Sequence, residues 1–129
     1  MSSRLLMTVT AIALACCGLA CTFAPQELLA LAGAPALPPL VLGVQAIGAA
    51  WFGLAAIDWM ARGAPFGGIY GRPIAIGNFG HFLVLAFALG KAAAHAPSGF
   101  LIALATLAAL GAVAFARLTF FQDGTSPGH

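Results

Sequence analysis

Charge is what this sequence has least of. Five Lys and Arg residues and three Asp and Glu residues amount to 6% of the 129-residue chain. A soluble domain carries about 25% charged residues. So few charges cannot clothe a water-facing surface of this size, which excludes an ordinary soluble globule. A surface that faces lipid removes the conflict. The formal net charge of +2 is small and its carriers are scattered, which excludes an electrostatic binder of nucleic acid.

Cysteine is scarce as well. Cys16, Cys17 and Cys21 all fall in the first apolar stretch. They make no C-x-x-C pair, and no distant Cys or His completes a metal-ligand spacing. They read as small apolar residues of a membrane helix. A lipoprotein signal is the rival reading, whose pattern the residues before Cys16 and Cys21 fit loosely, and the Arg4 start also suits a cleaved secretory signal. Also missing is the strict alternation that barrel strands would show.

What the chain does have is long apolar runs. Hydrophobic residues make up 62% of it. Four stretches stand out, Leu5 to Phe23, Leu37 to Met60, Pro73 to His95 and Ser98 to Ala116. Each is close to the ~20 residues that a membrane-spanning helix needs. Helices satisfy their own backbone groups in hydrocarbon, so helices are the expected spanning element.

The punctuation agrees. Pro25 can open a short outer helix, Gln26 to Ala32, which Gly33 can end. Pro35, Pro38 and Pro39 lead into the second span. Pro73 suits the first turn of the third, and Ser98 is a candidate N-cap of the fourth. The expected fold is all-α, an integral membrane antiparallel four-helix bundle with a short outer helix after the first span. It forms a single domain over residues 1–117, followed by a polar tail over residues 118–129. Small residues four apart, Ala49 with Gly53, Ala86 with Gly90 and Ala94, and Ala108 with Ala112 and Ala116, offer faces for close helix approach.

Basic residues set an expected orientation. Arg4, Arg62, Arg72 and Arg117 fall on one side, and Lys91 with Glu27 on the other. The positive-inside rule makes both termini and the loop "GAPFGGIYGR" cytoplasmic. Trp59 beside Arg62 fits an interfacial anchor.

The stretch "GGIYGRPIAIGNFGHF" concentrates polar groups. Ionisable residues inside a membrane are costly and are functional suspects for that reason. Asp58 lies about one turn inside the end of span two, and Arg62 follows four residues later on the same face. Asn78 and His81 lie one to two turns inside the start of span three, with Arg72 before them. These five residues can converge at the cytoplasmic side. The plain expectation is a hydrogen-bond clamp, with Asp58 neutralised by Arg62 or Arg72. The sharper ones are an anion pocket for a lipid phosphate, using the N–H groups after Pro73 with Arg62 and Arg72, and a proton relay through Asp58 and His81.

His81 and His95 are fourteen positions apart on one expected helix and so share a face. The spacing resembles the haem-ligating pairs of cytochrome b, which sit on two facing helices. One such helix would need a second copy or a partner to supply the opposite ligands. Haem or chlorophyll ligation is therefore an alternative, and no cofactor is the main expectation. No Ser–His–Asp order, phosphate loop or metal triad is present, so catalysis is not expected.

"TFAPQELLALAGAP", "GAAWFGLAAIDWMARG" and "GRPIAIGNFGHF" together resemble a broad group of small bacterial four-helix inner-membrane proteins without an assigned activity. In that group an F-x-P turn follows span one, and a Gly/Ala-rich span two ends in a Trp and a basic residue. Phe23, Pro25, Trp59 and Arg62 match. The resemblance covers roughly residues 5 to 95. It implies topology and a bacterial inner membrane, and it brings no site residues. The expected role is a non-enzymatic accessory or oligomeric subunit. Its expected partners are membrane lipids and other membrane subunits or a second copy of itself. A small transporter or channel component is the alternative.

Overall fold

The computed structural model describes residues 2–64 and 69–121. Five α-helices follow one another: α1 (Ser3–Phe23), α2 (Pro25–Leu31), α3 (Pro38–Ala61), α4 (Gly71–His95) and α5 (Gly99–Phe120). The four long ones, α1, α3, α4 and α5, have mean hydropathies of 2.1, 1.9, 1.6 and 2.3. All four are long and apolar enough to cross a membrane.

Local chemistry sets the ends. The Ser2 side chain accepts from the Leu5 N–H at the start of α1, and that of Ser98 accepts from the Leu101 N–H at 3.1 Å. Pro25 opens α2, and Pro38 opens α3. Pro73 is the third residue of α4, among the first four helix positions whose N–H groups have no partner within the helix. After α2, Gly33 adopts φ +73°, the left-handed region that favours glycine. Its N–H bonds the Ala30 carbonyl, and the Ala34 N–H bonds that of Leu29 at 2.8 Å. This is the Schellman pattern of helix termination. The fourth span runs past the expected Ala116 to Phe120. Thr119 donates to the Phe115 carbonyl there, and Phe120 packs edge-on against Phe79 with ring centroids 5.7 Å apart. The helix thus crosses the boundary expected at residue 117, and residues 122–129 of the expected tail lie outside the described residues.

The chain divides into two compact units, Met1–Gly63 and Ala64–His129. In the first, α1 packs along α3, and α2 touches both. Gln45 Nε2 donates to the Thr22 carbonyl at 3.3 Å, while Gly18 lies against Gly48 and Phe52. Later residues of α1 thus meet earlier residues of α3, so the pair is antiparallel. The closest approach is glycine on glycine. A Cβ on Gly48 would come within 2.8 Å of both the Gly18 carbonyl oxygen and Cys21 Cβ, and one on Gly18 within 2.9 Å of the Gly48 carbonyl oxygen. Leu6, Met7, Ala11, Leu14 and Cys21 form the buried face of α1.

In the second unit, α4 packs along α5. Phe115 is fully buried, and the Phe82 ring stacks on it with centroids 5.9 Å apart. Gly111 makes room for that ring, because a Cβ there would lie 2.9 Å from it.

Not every expected small-residue face meets a helix. Ala108 and Ala112 are buried, as expected of that row. Ala49, Gly53, Gly90 and Ala94 are exposed, and nothing lies within 4 Å of where a Cβ on Gly53 or Gly90 would stand. The tight crossing in the first unit uses Gly18 and Gly48 instead. Exposed large apolar side chains cover the outer faces, among them Leu42, Val84, Phe87, Leu107 and Val113.

Candidate functional site

The polar residues singled out in the sequence divide between the two units. Asp58 lies in the last turn of α3 and is 0% exposed. Its position follows from the α3 register, since Gly48, Ala55 and Asp58 are the buried residues of that helix. A carboxylate on the buried face of so apolar a helix is costly to hold there.

Arg62 is the C-cap residue of α3 and is half-buried. Its guanidinium lies over the Trp59 ring, with Cζ 3.9 Å from the ring centroid, and its Nη1 donates to the Trp59 carbonyl. Two forces hold it there. The ring quadrupole attracts the cation, and a basic group at a helix C-terminus meets the negative end of the helix dipole. Trp59 and Arg62 thus form one structural unit at the end of α3.

Arg72 stands in the first turn of α4 and is exposed. Asn78 is 0% exposed, and its Nδ2 donates to the Ile74 carbonyl one turn earlier at 3.1 Å. His81 is half-buried and meets the Phe82 ring edge-on at a centroid distance of 5.2 Å. Asn78 and His81 sit three residues apart on α4, so they share a face as expected. His95 is exposed in the last turn of α4. It lies about 21 Å along the axis from His81 at ~1.5 Å per residue. The two histidines therefore stand in different settings, one beside an aromatic ring and one at a helix end. Among the described residues, no group of three or more His, Cys, Asp and Glu side chains comes together as a metal site would require.

One residue of consequence carried no expectation of its role. Gln45 bridges α3 to the end of α1 through the Thr22 carbonyl, and Thr22 in turn donates to the Gly18 carbonyl at 2.9 Å. The signal was there, since Gln45 is the one amide side chain of a span whose only charged residue is Asp58. Such a group finds a partner when a second helix passes close by.

Two features stand out. Asp58 and Asn78 are fully buried polar side chains of apolar helices, one in each unit. Trp59 and Arg62 pair an aromatic ring with a cation at the end of α3. No protein-family model, curated protein or solved structure matches the chain.

Proposed function

We propose that the chain is a multi-pass protein of a bacterial inner membrane with both termini cytoplasmic. Its role is that of a non-enzymatic accessory or oligomeric subunit. The observation that carries the subunit role is a pair of bare small-residue faces. Ala49 and Gly53 on α3, and Gly90 and Ala94 on α4, are exposed, with open space in front of both glycines. In a membrane, helices associate by close van der Waals packing at small residues. Faces of this kind suit a neighbouring helix from another subunit or a second copy. The orientation rests on Arg4, Arg62, Arg72 and Arg117 facing one side against Lys91 and Glu27 on the other.

Affinity purification in mild detergent tests the role. A stoichiometric partner, or a defined oligomer of this chain, is the expected result. Broadening Gly53 and Gly90 to Leu should release that partner while each hairpin stays helical. A monodisperse single copy that carries no partner would overturn the role.

A second reading has an observation of its own. Asp58 and Asn78 are both 0% exposed within apolar helices, and buried polar groups of this kind mark proton and ion routes. On that reading the chain is a small transporter or channel component that uses Asp58, Asn78 and His81. Proton flux into proteoliposomes that contain the chain alone, lost in Asp58→Asn, would favour it over the subunit role.

A further inference from the structure

An apolar groove of about 350 Å³ runs along one side of the α1–α3 pair. Its floor is alanine, with Ala11 and Ala55 buried and Ala15 half-buried, and its walls are larger apolar side chains such as Leu19, Phe52 and Trp59. The wall residue nearest the end of α3 is Trp59, whose ring carries the Arg62 guanidinium. Arg62 gives an N–H to the Trp59 carbonyl, and a guanidinium has five donors, so among the described residues most of its donors remain for another group.

A second cation stands at the same end. Gly18 lies against Gly48 in the antiparallel pair. The same register, carried fourteen residues back along α1, brings Arg4 level with Arg62. Arg4 is exposed, and it shares the i, i+4 row of α1 with Ile12 and Cys16, both of which line the groove. Asp58, the nearest acid in sequence, is fully buried and is not part of the groove wall.

We infer that this groove binds an anionic glycerophospholipid, with one acyl chain along the alanine floor and the phosphate between Arg4 and Arg62. The inference rests on the membrane insertion and orientation proposed above and not on the subunit role. The lining residues run from Ala11 to Leu19 on α1, about 12 Å along the axis, which is close to the depth of one leaflet, roughly half of the ~30 Å hydrocarbon core. Arg4 and Arg62 stand beyond its Trp59 end and do not line it. Charge complementarity decides the headgroup. Two guanidinium groups at the hydrocarbon edge match a phosphate, and a zwitterionic headgroup would add a cation beside them.

The test uses Trp59 as the reporter. In the Trp51→Phe protein it is the sole tryptophan. That protein is reconstituted in phosphatidylcholine vesicles that contain increasing phosphatidylglycerol or phosphatidylcholine with brominated acyl chains, and fluorescence quenching is read. Brominated phosphatidylglycerol should quench Trp59 at lower mole fraction than brominated phosphatidylcholine. Each Arg should contribute a preference of about fivefold, the size of one basic residue's attraction to anionic lipid. Arg4→Gln and Arg62→Gln should each reduce the preference. Arg117→Gln, an equal loss of charge on the other unit, should leave it intact. Ala15→Phe, which fills the floor, should weaken quenching by the anionic lipid with helicity unchanged. Equal quenching by the two lipids, or equal loss in Arg117→Gln, would overturn the inference. Vesicle flotation separates this from failure of the membrane reading, since protein that does not float with lipid defeats insertion itself.

Discussion

Gly48 is the residue on which the first hairpin turns. Its missing side chain lets the α3 backbone come against Gly18 and Cys21. Gly48→Ala places a methyl group 2.8 Å from a backbone oxygen, and overpacking of this kind costs roughly 1–3 kcal/mol. Thermal unfolding in detergent should show a clear drop in Tm for Gly48→Ala. Gly53→Ala, with open space around it, should leave Tm unchanged or raise it slightly, since Ala is the better helix former. Equal effects at the two positions would mean that the crossing lies elsewhere. A second residue-scale expectation concerns His81. Its ring meets Phe82, and a packing role needs a polar side chain of similar reach and no titrating ring. His81→Gln should therefore keep stability and any partner complex. Loss of a pH-dependent flux in that variant, with the fold intact, would instead promote the transporter reading.

At the scale of elements, the helix ends make the sharpest predictions, because each rests on one interaction. Ser98→Ala removes the N-cap of α5 and should cost about 0.5–2 kcal/mol. Gly33→Ala forces a side chain into φ +73° and should cost roughly 1–2 kcal/mol. Chemical unfolding monitored by circular dichroism checks both. These ends were legible in the sequence because their causes are local. Ser98, Pro25, Pro38 and Gly33 act on their own neighbours, and the structure puts them where the sequence suggested. The meeting of helices was less legible. Ala and Gly are so common that rows at i, i+4 occur on several faces, and only the fold selects Gly18 with Gly48 over Ala49 with Gly53. The site was legible in part. Asp58 and Asn78 stood out as polar residues within apolar runs, and both are buried. The commitment of Arg62 to Trp59 was not readable. A residue at the end of α3 can reach either i−3 or i−4, and the sequence offers Trp59 at one and Asp58 at the other.

For the whole molecule, the composition and the structure argue the same way. Four helices are long and apolar enough to cross a membrane, their outer faces carry large exposed apolar side chains, and eight charged residues serve the entire chain. Exposed side chains such as Phe87 at 74% and Leu42 at 67% would make a water-soluble protein associate, whereas lipid is their natural solvent. The central claim is that the chain crosses the membrane four times with both termini cytoplasmic. Cysteine labelling in intact cells tests it most directly, with Cys16, Cys17 and Cys21 first replaced by Ala. Single cysteines then go in at Ser2, Pro35, Ala64 and Ser98, which report the N-terminus and the three connections between the spans. A membrane-impermeant maleimide added from outside should label Pro35→Cys and Ser98→Cys and should reach Ser2→Cys and Ala64→Cys only after the cells are opened. Labelling of Ser2→Cys and Ala64→Cys in intact cells, with Pro35→Cys and Ser98→Cys protected, would contradict the orientation, and equal labelling of all four would contradict the four crossings.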